Sequence, residues 1–411
     1  MRSLTAEAPA TPHASSAESE RAPAASGTGR SVRPLKVMFL VRSLEYGGAE
    51  RQLVVLAKAL NDRGHAISVV TFYSGGALEP ELRSTGVRVR SLEKRGRWDL
   101  ASLVVRLPRV IREERPDVLH GYLGTPNIAT TMVSPLFPGT PTVWGERASN
   151  MDLSHYDWLS RVSSDACRVL SRFPNLLIVN SRAGLKHATD RGYPPAKLVV
   201  IPNGIDTDRF APDPIGGRRL RHEWNVGDGV RLVGLVSRFD PVKDHRTFLS
   251  AAADVARARE DVRFACVGDG DPQYRHAMQR LAHALGIADR VLWIGARSDV
   301  AAVYSALDVS CSSSASEGFP NAVGEEMACG VPCVVTDVGD CAWLVEDPRL
   351  IVPRGDSATL AERIELVLSL DPLERTRLCG ELRNRVLAQF SVANLADATE
   401  RALLALCDNS R

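Results

Sequence analysis

From Lys36 onward, short apolar runs alternate with helical periodicities. The run VMFLV (37–41) is followed by Gly47 and Gly48, then by apolar positions at Ala49, Leu53, Leu56, Ala57 and Leu60, three or four residues apart. This pattern predicts a strand, a glycine turn and a helix. AISVVTF, VRVRSL, DVLH, TVW, LLIVN and LVVI extend the series to Ile201, with helical stretches between several of them. Strands that are apolar throughout, rather than in alternation, predict a parallel sheet covered on both faces. After PNGID, the segment TDRFAPDPIGGRRLRHEWNVGDG breaks the periodicity with Pro, Gly and charge, and reads as a linker. A second series then runs through RLVGLVS (231–237), VRFACVG, RVLWIG, DVSCS and PCVVT. The expected class is α/β, with two doubly wound, Rossmann-like domains facing a central cleft at the carboxyl ends of their sheets, where such sheets bind ligands. The expected divisions are a disordered tail at 1–34, a first domain at 35–205, the linker at 206–229, a second domain at 230–390, and a helix at 391–411 that crosses back to the first domain.

Composition narrows the compartment and the partners. The 411 residues can bury two cores of ordinary size, and 44% hydrophobic with 24% charged residues suits a globular cytosolic protein. Lys and Arg total 51 against 49 Asp and Glu, so the overall charge gives no argument for nucleic-acid binding. The eight cysteines lie scattered in apolar segments without CxxC pairs, which suits reduced core thiols and a cytoplasmic location; Cys329, Cys333 and Cys341 are a weak metal candidate. Residues 1–34 are rich in Ala, Pro, Ser and Thr and lack the apolar core of a signal peptide. No run reaches the roughly 18 apolar residues of a membrane-spanning helix. The stretch 154–173 carries Tyr156, Trp158 and Phe173 with Arg161, Arg168 and Arg172, a composition suited to an interfacial helix on an anionic inner-leaflet surface and equally to an amphipathic helix packed on a sheet.

The chemistry concentrates in the second half. In SEGFPNAVGEEMACGVP (316–332), Glu317 falls in a loop after the strand around Val309, and Pro320 suits the first turn of a helix. The free N–H groups at that turn can hold an anion or a polarised oxygen, and Glu325, about one and a half turns on, can reach the same ligand. Each glutamate also has a plain reading, the first complementing the helix dipole and the second solvating a helix face. Upstream, SRFDPVKDH (237–245) carries Arg238 and Lys243 where a strand ends and a helix opens. A planar fork beside a point charge is what a diphosphate needs, although solvated surface cations remain the alternative.

Taken together, SRFDPVKDH, VGDGDP, WIGARSDV and SEGFPNAVGEEMACGVPCVVTDVG, with EYGGAERQL, DVLHGY and VIPNGID upstream, resemble glycosyltransferase family 4, retaining enzymes of the GT-B fold, over about residues 36–390. The resemblance implies that Glu317 and Glu325 are the two ends of an E-x7-E motif, Glu317 addressing the donor sugar and Glu325 the ribose hydroxyls. It implies Arg238 and Lys243 on the diphosphate, and Asn321 with neighbouring amides, at Gly318 and Phe319, on sugar or phosphate oxygens. The loop Gly295 to Val300, with Arg297, would line the base. Gly47 and Gly48 would let backbone approach the diphosphate or acceptor, and His120 would lie near the reacting carbon of the donor; taken alone, His120 is equally a core histidine. The implied activity is transfer of a sugar, with retention and without a metal, from a nucleoside-diphosphate sugar as co-substrate to a glycan or polyprenyl-linked acceptor in cell-surface polysaccharide or glycoconjugate synthesis. No other cofactor is implied. A nucleotide-sugar epimerase and a non-catalytic nucleotide-sugar binding protein share the fold and stand as alternatives.

Overall fold

A computed structural model of the chain describes residues 33–96, 98–99, 101–147 and 165–409. Most of the expected tail and the residues Tyr156, Trp158 and Arg161 lie outside them.

Two parallel sheets organise the molecule. The first contains β1 (Lys36–Val41), β2 (Ala66–Thr71), β3 (Arg88–Ser91), β4 (Val118–Tyr122), β5 (Thr142–Glu146), β6 (Leu176–Val179) and β7 (Leu198–Val200), in the order β3-β2-β1-β4-β5-β6-β7. The second contains β8 (Arg231–Val236), β9 (Val262–Val267), β10 (Val291–Ile294), β11 (Val309–Ser312), β12 (Cys333–Thr336) and β13 (Ile351–Val352), in the order β10-β9-β8-β11-β12-β13. All pairings within both sheets are parallel. This is the expected class, and the continuous apolar runs explain it. Along β1 every residue from Val37 to Val41 is buried, so helices cover both faces of the sheet.

The order of each sheet reverses once, between β1 and β4 and between β8 and β11. At such a reversal the connections leave in opposite directions, and a crevice opens beyond the carboxyl ends of the two strands. Gly47 and Gly48 follow β1 at the first reversal. The loops after β8 and β11, which carry Arg238, Lys243 and Glu317, meet at the second.

Two segments differ from the pattern read in the sequence. The expected linker contains helix Pro214–Glu223, started by Asp213, whose side chain accepts from Gly216 N. Leu220 and Val226 belong to the second sheet's core. Its two glycines obscured it: a Cβ on Gly217 would lie 2.6 Å from the Ser305 carbonyl oxygen, so the close approach of this helix to helix Val300–Ala306 excludes any larger residue. Strand β13, only two residues long, is too short to register as an apolar run. At the end of the chain, helix Val392–Asn409 contributes Leu395 and Leu403 to the core of the first sheet. Its Glu400 pairs with both Arg63 and His65, at 2.9 and 2.8 Å.

Candidate functional site

The site is built from two loops on neighbouring strands of the second sheet. After β8, Ser237 to Asp240 run to the short helix Pro241–Lys243, which Asp240 caps by accepting from Val242 N. Gly268, at φ +146, closes over this loop: a Cβ there would sit 2.0 Å from the Ser237 carbonyl oxygen, so the position admits glycine alone. After β11, residues 313–320 lead into helix Asn321–Ala328, with Pro320 just before the helix rather than inside its first turn. Gly339, at φ +56, presses on this second loop in the same way, with its Cβ position 2.4 Å from the Glu317 carbonyl oxygen. The two loops are joined directly, because Ala315 N donates to Val242 O at 2.8 Å.

This framework brings Lys243 and Glu317 together. Lys243 Nζ lies 2.5 Å from Glu317 Oε1, and Ser314 Oγ donates to the same oxygen at 2.7 Å. Both charged side chains are largely withdrawn from solvent, at 22% and 13% exposed. They share a pocket of about 30 Å³ whose lining includes Ser237, Ser314, Asn321 and Glu326. That volume takes one or two water-sized groups, so it suits a single oxygen-rich group and not a whole nucleotide sugar.

Of the residues singled out in the sequence, Lys243, Glu317 and Asn321 line this pocket. Arg238 stands on the same loop but is 75% exposed, its guanidinium 3.8 Å from Asp240. Glu325 faces the other way, accepting from Tyr304 OH at 3.1 Å; burial, partly offset by that hydrogen bond and by Arg209 and Arg51, pushes its carboxyl up to about 7. Gly318 O accepts from Asp340 N at 3.0 Å. Phe319 is not a pocket residue: its ring is buried in the second core, 5.7 Å from Phe390, because an aromatic next to a glycine turn packs inward where apolar surface is available. Arg297 is held in ion pairs, at 2.8 Å to both Asp299 and Glu223, so its guanidinium is committed to its own surface cluster.

In the first sheet, His120 is wholly buried between Phe39 and Tyr122, with ring centroids 5.0 and 5.8 Å away. Burial, with Arg147 adding to it, lowers its pKa to about 3, so it is a neutral imidazole at physiological pH. Gly48 faces the second domain: a Cβ there would touch Asn321 Nδ2 at 3.5 Å.

Three groups near the site went unread in the sequence. Glu326 follows Glu325 in the chain but points about 100° further round the helix, where it is buried and lines the pocket. The adjacency was visible; its burial follows from the helix orientation alone. Arg147 and Asn203 reach Asn321 from the first half of the chain, through Arg147 Nη1 to Asn203 Oδ1 at 2.9 Å and Asn203 Nδ2 to Asn321 Oδ1 at 2.8 Å. Asp340 accepts from the backbone N–H groups of Arg182 and Ala183, at 2.7 and 2.9 Å, capping a first-domain helix (Arg182–Asp190) with a second-domain carboxylate. No spacing rule in a sequence brings such partners together.

Family models match both halves: Glycosyltransferase Family 4 over residues 46–209 and Glycosyl transferases group 1 over residues 230–369. The 2-deoxystreptamine N-acetyl-D-glucosaminyltransferase of Streptomyces fradiae is 31% identical over 397 residues, covering 87% of this chain and 90% of that protein. The chain belongs to glycosyltransferase family 4. The GalNAc-alpha-(1->4)-GalNAc-alpha-(1->3)-diNAcBac-PP-undecaprenol alpha-1,4-N-acetyl-D-galactosaminyltransferase of Campylobacter jejuni is 29% identical over 380 residues, 88% of this chain and 96% of that one. Anabaena HepE, in complex with UDP-glucose, superposes with a TM-score of 0.78 at 24% identity over 90% of this chain and all of its own, a likeness of fold. The family 4 chain is thus a glycosyltransferase with two Rossmann-like sheets, and the epimerase and non-catalytic alternatives are not favoured.

Burial also gives this glycosyltransferase a pH-dependent stability. Glu326 is pushed from 4.5 up to about 8, chiefly by burial and against the opposing hydrogen bonds of Cys333 and Ser310. Between those values the folded protein holds a proton that the unfolded chain has released, so the contribution of Glu326 to stability is full below about pH 4.5 and is lost as pH rises through 8. Glu326→Gln, which cannot ionise, is expected to melt progressively higher relative to wild type as the pH goes from 5 to 9 in thermal unfolding. A melting difference independent of pH contradicts the buried-acid assignment.

Proposed function

We propose that this enzyme is a metal-independent, retaining glycosyltransferase that moves a sugar from a nucleoside-diphosphate sugar to a glycan or polyprenyl-linked acceptor, in cell-surface polysaccharide or glycoconjugate synthesis. The observation that carries the reading is Lys243 and Glu317 held side by side in one pocket at the reversal of the second sheet. HepE in complex with UDP and with UDP-glucose supports the donor class.

In this reading Lys243 holds the diphosphate, and Arg238 closes on it from the exposed side. The leaving nucleoside diphosphate gains negative charge as the glycosidic bond breaks, and fixed cations together with the amides at the start of helix Asn321–Ala328 lower the barrier by meeting that charge where it develops. Asn321, with the backbone at Gly318 and Phe319, takes sugar or phosphate oxygens. Glu317 addresses the donor sugar as an electrostatic and positioning group rather than a nucleophile, so the acceptor attacks from the face that the diphosphate leaves. Glu325 takes the ribose hydroxyls, and the 295–300 loop with Arg297 lines the base. Gly47 and Gly48 admit the diphosphate or acceptor close to backbone, and neutral His120 lies beneath the reacting carbon.

The acceptor class draws support from the undecaprenol-linked substrate in the name of the Campylobacter relative and from Val169 and Phe173, exposed at 57% and 64% in the stretch read as interfacial. Among the described residues no helix is long and apolar enough to cross a membrane. All eight cysteines are free thiols, which supports a cytoplasmic enzyme, read here as one working at the inner face of the membrane. Retention of the protein by anionic liposomes at low salt is the expected outcome; failure to bind them removes the membrane reading.

Loss of a charge-assisted hydrogen bond of about 1.5–3 kcal/mol corresponds to about ten- to a hundredfold in affinity. Arg238→Ala is expected to weaken donor binding by that factor at unchanged melting temperature; Lys243→Ala is expected to weaken it equally while also lowering the melting temperature, because Glu317 stays largely buried without the Lys243 ammonium, so binding is compared where both proteins are folded. Glu317→Gln is expected to lower kcat more than donor affinity, because charge is removed beside the reacting sugar. Wild-type activity should persist in chelator, and NMR of the product should show the anomeric configuration of the donor. Wild-type donor affinity in both cation variants contradicts the diphosphate assignment, complete loss of activity in chelator contradicts metal independence, and an inverted product contradicts retention.

A further inference from the structure

The hydrogen bonds that reach Asn321 from the first half of the chain have a fixed direction. A guanidinium has only donors, so the oxygen of the Asn203 amide must face Arg147, and it does so at 2.9 Å from Nη1. The amino group of Asn203 is then the end that meets Asn321, which must accept with its own oxygen, at 2.8 Å. The amino group of Asn321 is left directed away from Asn203, and it lies 3.5 Å from the Cβ position of Gly48 at the mouth of the crevice. Neither amide can turn over without setting two like groups against each other.

The chain of bonds is held rigid at its origin. Arg147 is 9% exposed and lies over the ring of Tyr122, its guanidinium carbon 4.7 Å from the centroid. Asn203 is 3% exposed, and the neighbouring Gly204 is locked by Gln52, whose amide donates to Gly204 O and accepts from Gly204 N, each at 3.0 Å.

We propose that Arg147 and Asn203 are positioning residues that set the polarity of Asn321, so that this side chain presents N–H donors, and never its carbonyl oxygen, to the oxygens of the donor. The inference rests on the reading that Asn321 faces the donor. Its consequence is specific to direction. An aspartate at 203 would accept from Arg147 as the asparagine does, staying paired and buried, but it would also have to accept from residue 321. Asn321 would then turn its amino group toward 203 and its carbonyl oxygen toward the ligand, replacing an attraction with a repulsion.

The test is calorimetric titration of UDP and of GDP, using whichever binds the wild-type protein, against Asn321→Ala, Asn203→Asp and the double variant. Asn321→Ala is expected to weaken binding by about three- to tenfold, the loss of one neutral hydrogen bond. Asn203→Asp, although one residue removed from the ligand, is expected to weaken it at least as much, about tenfold or more, at an unchanged melting temperature. In the Asn321→Ala background, Asn203→Asp should cost nothing further, because no amide remains to be reversed. If Asn203→Asp does not fold, Arg147→Met serves in the same cycle; it frees the relay to turn, and should weaken binding about two- to fivefold alone and not at all beside Asn321→Ala. Failure of both nucleotides to bind wild type, or wild-type affinity in Asn321→Ala, overturns the donor reading and the inference with it. A loss in Asn321→Ala with wild-type affinity in the relay variants overturns the inference alone, as does an equal loss from Asn203→Asp in both backgrounds, which would mark a simple charge effect.

Discussion

The arrangement depends on an ion pair held where solvent is scarce. Lys243 and Glu317 come from different loops, 74 residues apart in the chain, and meet at 2.5 Å on the rim of a parallel sheet. A partly buried pair of this kind adds little net stability, because desolvating both charges offsets most of their attraction. In the proposed mechanism its value lies in position: the cation and the carboxylate stand at fixed separation before any substrate arrives, so neither would have to be reorganised when charge develops on a leaving group. The tight packing around them follows from that requirement. Gly268 and Gly339 press onto the backbones of the two loops at distances that no side chain allows, and the Ala315 to Val242 hydrogen bond ties the loops together. The topology supplies the rest, since β8 and β11 are neighbours only because the sheet reverses between them.

The contacts between the two sheets' domains gather around the same loops. Asp340, one residue beyond Gly339, caps the first-domain helix that begins at Arg182, and the Arg182 guanidinium stacks 4.1 Å above Trp343. Burial raises the Asp340 carboxyl while the two backbone N–H groups it accepts from pull it back down, so the cap carries an electrostatic cost that its hydrogen bonds offset. Asn203 and Asn321 make a second bridge beside it. A change in the loop holding Glu317 is therefore felt directly by first-domain backbone, and the reverse also holds.

The fold was legible in the sequence because its signals are local. A buried parallel strand must be apolar on both faces, which gives runs such as VMFLV and RLVGLV, and a strand-to-helix turn must carry glycine or a cap. The pairing of Glu317 with Lys243 was half legible: the sequence put each just beyond the end of a strand, but that these strands are neighbours, and that the two side chains meet ahead of any ligand, are properties of the folded chain. What stayed hidden has physical causes. Gly216 and Gly217 looked like helix breakers and are instead the price of a close helix crossing. Phe319 was read for its backbone amide, and nothing local showed that its ring packs against Phe390 in the second core. The ion pairs of Arg297 were not legible because one partner, Glu223, lies on the helix taken for a linker. Arg147 and Asn203 have no local signature at all, since their meaning comes from the amide they reach.

The central claim is that Lys243, preset against Glu317, is the cation that receives the donor's diphosphate. A crystal structure of the protein with a nucleoside diphosphate bound tests it most directly. A phosphate oxygen is expected about 2.7–2.9 Å from Lys243 Nζ, the length of a charge-assisted hydrogen bond, with the other phosphate oxygens toward the start of helix Asn321–Ala328. A diphosphate bound elsewhere in the crevice, with the Lys243–Glu317 pair untouched and no phosphate oxygen within about 4 Å of the ammonium, would contradict it.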